Sequence, residues 1–269
     1  MTGQSWNWSL GEALYVIGKT YRDDWGRDQR QRTAFVQSHE YIQEIDVNGI
    51  TALKAGNGKQ DVLFIHGSPG NAMRWDIYLK KVPDDYTFYS IDRMGFGGRK
   101  DQQPDLEKDY ELILDFAKLL KNPIIVGHSL GGAIVARLAA DLDQVKSLIF
   151  VAASLDPSLE KIIPFQRIGR SSFISWVLTS SIRHSNEEMF QLVDFLNRMK
   201  ESVSNIECPV HVFHAKDDGL VPIETIEFIQ REFSNVNSLQ IISPEVGGHA
   251  IPWTQPEVIF NLLEESKAA

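Results

Sequence analysis

Ser129 stands at the centre of Gly127-His128-Ser129-Leu130-Gly131-Gly132. The apolar run Pro123-Ile124-Ile125-Val126 leads into it, and a small-residue helical pattern from Ala133 to Ala140 leads out. Strand, sharp turn and helix with a serine at the apex lift the hydroxyl clear of a sheet and set it at a helix N-terminus, where developing negative charge is favoured. Glycines at 127 and 131 remove side-chain volume where the chain must crowd the turn. The chemistry this suggests is nucleophilic attack, for which a serine needs a base to take its proton.

A histidine usually supplies that base, and a carboxylate fixes its tautomer and stabilises the imidazolium. The chain has seven histidines. His39 precedes the core strands, His66 and His128 lie in turn motifs, and His184 falls in a helical stretch. His211 and His214 share one strand and point to opposite faces, which is wrong for a common metal. His249 follows the last strand in Val246-Gly247-Gly248-His249-Ala250, on a loop that glycines can shape, and is the expected base. Asp217 and Asp218, in His214-Ala215-Lys216-Asp217-Asp218-Gly219-Leu220-Val221-Pro222, follow a strand and are acid candidates; Asp156 is a third. The order Ser129, Asp218, His249 is that of nucleophile, acid and base in one known architecture.

An acyl-transfer site also needs donors for the oxyanion. The main-chain N–H of Leu130 is one expected donor. The N–H of Ser68, in His66-Gly67-Ser68-Pro69 directly after a buried strand, is the other. Pro69 has no N–H to offer. Competing sites are weak. Gly95-x-Gly97 begins a dinucleotide fingerprint, but position 100 is Lys100, and Gly56-Asn57-Gly58-Lys59 lacks phosphate-loop spacing. No histidine and cysteine cluster suggests zinc, so neither metal nor cofactor is expected.

These residues must be carried by a sizeable domain. The chain has 269 residues, 43% of them hydrophobic, and a net charge of −9, which argues against nucleic acid and anionic membrane surfaces as partners. Its single cysteine, Cys208, allows no internal disulfide and suits a reducing compartment. No stretch reaches the length of a membrane span and the N-terminus lacks a secretion signal, so a cytoplasmic location is expected.

Two strand-like runs, Tyr41 to Val47 and Ile50 to Ala55, meet at Asn48-Gly49, a strong hairpin signal. Further strands are predicted at Asp61 to Ile65, Thr87 to Ile91, before Ser129, Val145 to Ala153, Pro209 to Phe213 and Ser238 to Ile242. Helical patterns alternate with them, including about Ala72 to Val82 and Asp105 to Leu120. Such alternation implies an α/β fold: a mostly parallel, roughly eight-stranded, doubly wound sheet with helices on both faces. Residues 1–40 read as an N-terminal helical arm, with Leu10, Ala13, Leu14, Ile17 and Tyr21 on one face and Arg22 to Arg32 as a solvated, charged face. The arm is expected to pack on its own domain, with a homodimer contact or an interfacial anchor as the alternatives. Residues 155–206 hold no strand pattern and read as a small helical cap inserted after the sixth strand, over the core formed by 41–154 and 207–269. Its apolar residues Phe165, Phe173 and Trp176, with His66, are the candidate substrate-pocket residues.

With these motifs in order, the chain resembles the α/β-hydrolase fold superfamily in its capped serine esterase and lipase-like branch. The resemblance runs from about Tyr41 to the C-terminus and includes Asp92-Arg93-Met94-Gly95-Phe96-Gly97. In similar proteins two residues separate the acid from a Val-Pro pair, a register that selects Asp218. The resemblance implies hydrolysis of carboxylic esters through an acyl-enzyme, and the apolar cap points to small or medium apolar ones. The resemblance leaves open carbon–carbon bond hydrolysis of ring-cleavage products, lactone or amide hydrolysis, and a receptor that binds a small molecule in a hydrolase fold. A serine at the apex speaks against relatives that use an aspartate there.

Overall fold

The computed structural model describes residues 25–160 and 179–268. The helical stripe from Leu10 to Tyr21 and the pocket candidates Phe165, Phe173 and Trp176 lie outside the described residues. The chain divides into two units, residues 1–39 and 40–269. In the first, helix α1 (Trp25–Gln37) ends with the Ser38 hydroxyl donating to the Phe35 carbonyl at 3.0 Å. Arg32, in the run expected as a solvated face, is buried, as is Phe35.

The second unit is built on one eight-stranded sheet. Strands β1 (Ile42–Val47) and β2 (Ile50–Ala55) form an antiparallel hairpin. Asn48 and Gly49 both have positive φ, 54° and 80°, which lets the two-residue turn follow the strands' twist. Strands β3 (Gln60–Ile65), β4 (Tyr86–Ile91), β5 (Ile124–His128), β6 (Ser147–Val151), β7 (Val210–Phe213) and β8 (Leu239–Ile242) run parallel, in the order β1-β2-β4-β3-β5-β6-β7-β8. Apolar runs such as Val62-Leu63-Phe64-Ile65 and Ile124-Ile125-Val126 are buried, as a sheet covered on both faces requires.

The order reverses at β3. The chain passes from β3 to β4 on one side, then crosses to β5 on the other. Such a switch point opens a crevice at the carboxyl ends of the two strands. His66-Gly67-Ser68 follows β3 there, and Ser129 follows β5.

Helix α2 (Asp76–Leu79) is preceded by a single 3-10 turn (Ala72–Trp75), so the expected helix over 72–82 is broken into short pieces. Helix α3 (Leu106–Ala117) is capped by Asp105, whose carboxylate accepts from the Glu107 and Lys108 N–H groups at 3.1 Å. Helix α4 (Leu130–Asp141) is buried along almost its whole length. The small residues of its first turn let it approach the sheet closely. A Cβ on Gly131 would lie 2.5 Å from the Ile65 carbonyl oxygen and 2.7 Å from that of His66.

Helix α5 (Ser180–Ser202) is the longest described element of the segment expected as a cap. Its later turns place Leu192, Phe195, Leu196 and Met199 in the main hydrophobic core, beside residues of α3 and α4. Helix α6 (Thr225–Glu232), the short α7 (Ile251–Thr254) and α8 (Pro256–Ala268) complete the unit. Among the described residues no helix is long and apolar enough to cross a membrane.

Gly131→Ala should destabilise the fold by about 1–3 kcal/mol, because its new methyl meets backbone rather than a movable side chain. Gly219→Ala, where a Cβ meets nothing within 4 Å, should be close to neutral. Thermal unfolding of the two variants measures the contrast, at about 2–4 °C per kcal/mol for a chain of this size.

Candidate active site

Ser129 adopts φ 55° and ψ −126°, a backbone conformation that costs a non-glycine residue roughly 1–3 kcal/mol. Neighbouring strands hold it there. Its N–H donates to the Val151 carbonyl at 3.1 Å, and its carbonyl accepts from the N–H groups of Gly132 and Ser154. The loop after β3 comes within contact distance: a Cβ on Gly67 would lie 2.8 Å from the Ser129 Cβ. Among the described residues, neither the Ser68 nor the Leu130 N–H has a main-chain acceptor.

His249 lies on the loop after β8. Its Nδ1 donates to Asp218 Oδ2 at 2.8 Å, which leaves Nε2 as the basic nitrogen. Its ring centroid is 4.7 Å from that of His128, the residue immediately before Ser129. The loop is anchored at several points. His128 Nε2 donates to the His249 carbonyl at 3.0 Å, and Asp217 Oδ1 accepts from the Gly248 N–H at 2.7 Å. Beyond it, Trp253 Nε1 donates to the Arg74 carbonyl at 2.6 Å, and the Tyr78 hydroxyl donates to the Pro252 carbonyl.

The two adjacent aspartates therefore divide their work. Asp217 holds loop backbone, whereas Asp218 is buried and receives the imidazole. Asp218 Oδ1 also accepts from the Leu220 and Val221 N–H groups at 2.8 and 3.0 Å. Burial alone would raise its carboxyl, but the His249 imidazole, His214 and the Val221 N–H outweigh burial and hold it below the usual carboxylate range. Asp156 is engaged elsewhere, accepting from the N–H and hydroxyl of Ser158 at 2.8 and 2.6 Å.

His66, a candidate pocket residue, is buried. Its Nε2 accepts from the Arg93 main-chain N–H at 3.2 Å, so Nδ1 carries the proton and donates to the Gly67 carbonyl at 2.6 Å. Burial, with Arg93 nearby, pushes its imidazole well below the ordinary value. Burial does the same to His128, aided by His249, and burial also lowers His214. All three are thus neutral parts of the frame around Ser129 and His249.

A buried charged group beside the site has no counterpart among the residues that the sequence singles out for a role. Arg93 pairs with Glu188 on α5 and lies 3.6 Å from Asp109, and Arg99 pairs with Asp109 at 2.7 Å. A signal for it was present. His184 and Glu188 share a helical stripe with the apolar Leu192, Phe195 and Met199, so polar side chains on that stripe had to find buried partners. Among the described residues no group of histidine, cysteine, aspartate and glutamate could hold a metal ion.

Known proteins share this architecture. A model of the alpha/beta hydrolase family matches residues 62–262. A relative from Enterobacter cloacae, provisionally named carbamate hydrolase RutD, is 25% identical over 244 residues, covering 77% of this chain and 91% of its own length. The pimeloyl-[acyl-carrier protein] methyl ester esterase of Pseudoalteromonas atlantica is 23% identical over 250 residues, covering 78% and 95%. Among solved structures, an esterase from Exiguobacterium antarcticum superposes with a TM-score of 0.63 at 20% identity, covering 84% of this chain and 98% of that one. At that identity the likeness speaks for the fold.

The neutral histidines generate a pH dependence. An imidazole whose folded pKa is lowered takes up its proton first in the unfolded chain. Its contribution to stability is complete above about 6.5 and is lost as pH falls toward the folded value. Denaturant titrations from pH 7 to pH 5 should show stability falling by about 1.4 kcal/mol per pH unit for each histidine still neutral in the fold. His128→Gln should remove about one proton's worth of that slope. Asp218 acts at lower pH: its contribution is present above about 3.9 and is lost as pH falls through its depressed folded value.

Proposed function

The chain belongs to the alpha/beta hydrolase family, and from that premise we propose that it is a serine hydrolase cleaving carboxylic esters through an acyl-enzyme. The observation that carries this reading is the hydrogen bond from His249 Nδ1 to buried Asp218, with the His249 ring beside the residue that precedes Ser129. The esterase among the relatives supports the ester as substrate class. The apolar residues Phe165, Phe173 and Trp176 motivate small to medium apolar substrates.

His249 Nε2 removes the Ser129 proton as Oγ attacks the carbonyl carbon. The negative charge that develops on the carbonyl oxygen is met by the N–H groups of Ser68 and Leu130, aided by the N-terminal end of α4. Asp218 stabilises the imidazolium without taking its proton. His249 then protonates the leaving alcohol, and the ester bond to it breaks. Water, deprotonated by the same nitrogen, attacks the acyl-enzyme, releases the acid and returns the proton to Ser129.

A carbamate or an amide passes through the same steps, with a nitrogen leaving group. The relative provisionally named for carbamate hydrolysis favours testing carbamates beside esters.

Turnover of p-nitrophenyl esters of graded chain length, with p-nitrophenyl carbamates beside them, tests the reading. Ester turnover should exceed carbamate turnover and be highest for short to medium acyl chains. A fluorophosphonate should label Ser129. Ser129→Ala and His249→Ala should lose about 10⁴-fold or more in kcat, and Asp218→Asn about 10⁴-fold. Labelling with near-zero turnover of every substrate, together with tight binding of a small molecule, would identify a receptor instead. Absence of labelling at Ser129 would overturn the assignment of the nucleophile.

A further inference from the structure

Arg93 has no exposed surface, and two of its donors, the main-chain N–H and Nη1, reach the loop after β3. Its main-chain N–H reaches His66 Nε2, and its Nη1 donates to the carbonyls of Gly67 at 3.2 Å and His66 at 3.4 Å. Its Nη2 pairs with the Glu188 carboxylate on α5. We propose that Arg93 is the positioning residue for the Ser68 N–H, and that Glu188 holds Arg93 in place, so that helix α5 sets the aim of an oxyanion donor. The proposal rests on the serine-hydrolase reading above and extends it to residues that touch no substrate.

The geometry turns on one peptide plane. The Gly67 carbonyl and the Ser68 N–H belong to the same trans amide and point in opposite directions. Whatever fixes the carbonyl oxygen also aims the N–H. Two donors fix it, Arg93 Nη1 and His66 Nδ1, the latter at 2.6 Å. The next residue along is held as well, because the Ser68 hydroxyl donates to the Ser185 hydroxyl of α5 at 3.0 Å. The Gly67 Cα lies against Ser129, so a rotation of this amide is felt at the nucleophile. A cationic donor on the carbonyl also polarises the amide and strengthens its N–H as a donor.

The site calls for a guanidinium. One arm must reach two carbonyls while the other meets a carboxylate, which the single head of a lysine does not do. Stability by itself does not call for a charged pair at this depth, since well-packed apolar residues often replace such pairs without loss. Burial lowers the Arg93 guanidinium to about 10, so it stays charged at neutral pH. The helix that supplies Glu188 is tied down beside it, with His184 Nδ1 donating to the Gly95 carbonyl at 2.7 Å and Gln191 accepting from the Leu106 N–H at 2.9 Å.

The test uses the full chain with p-nitrophenyl butyrate, active sites being counted by fluorophosphonate titration. The double variant Arg93→Met/Glu188→Met removes both charges together and keeps the volume filled. Its kcat per titrated site should fall about ten- to hundredfold, with KM within about threefold of wild type. Its affinity for butylboronic acid, whose tetrahedral adduct places a negative oxygen in the site, should weaken by a similar factor. Arg93→Lys keeps the charge paired with Glu188 and carries the same test should the double variant not fold; its kcat per site should fall about tenfold. A kcat per site and a boronate affinity within twofold of wild type, in whichever of these variants folds, would overturn the proposal while leaving the serine-hydrolase reading intact. Failure of wild-type protein to label at Ser129 would overturn both, which the Ser129→Ala control makes plain.

Discussion

The close approach of the first turn of α4 to the ends of β3 and β5 is the constraint on which the rest of the site depends. Ser129 is forced to φ 55°, and the conformation persists because the surrounding backbone satisfies its N–H and carbonyl. The contacts at this junction are close: Gly131 against the Ile65 and His66 carbonyls, and Gly67 against the Ser129 Cβ. Neither a main-chain carbonyl nor a Cβ can rotate away as the far end of a side chain can, so each approach favours glycine. The junction thereby sets a serine at the rim of the sheet, at a helix N-terminus, with the loop after β3 beside it.

Around that junction the histidines fall into two kinds, separated by burial. His66, His128 and His214 lose water and stay neutral, each giving an N–H to a main-chain carbonyl. They act as hydrogen-bonding struts for the loops. His249 keeps part of its surface and has a carboxylate for a partner. One residue type thus serves as frame and as candidate base, and the difference is made by the environment.

Helix α5 brings a second set of buried charges to the same place. Glu188 meets Arg93, Arg93 meets the Gly67 and His66 carbonyls, and Asp109 meets Arg99. A helix whose later turns are embedded in the main core thus reaches, through its first turns, the loop that lies against Ser129. The placement of the helix and the alignment of the loop are mechanically one arrangement.

Much of this was legible in the order of the residues. Alternating apolar strands and helical patterns determined a parallel sheet, Asn48-Gly49 determined the hairpin, and the glycines around Ser129 marked the turn, because these are local effects of sterics and periodicity. The family resemblance selected Asp218 over the neighbouring Asp217; in the structure Asp218 is buried against the imidazole while Asp217 meets loop backbone. Tertiary structure alone decided that both ring nitrogens of His66 would be engaged by main chain, one of them by the distant Arg93. It alone decided that Arg93 and Glu188, 95 positions apart, would meet. Neither outcome is encoded in local spacing, since each depends on which loops the β3 crossover and the α5 packing bring to one end of the sheet.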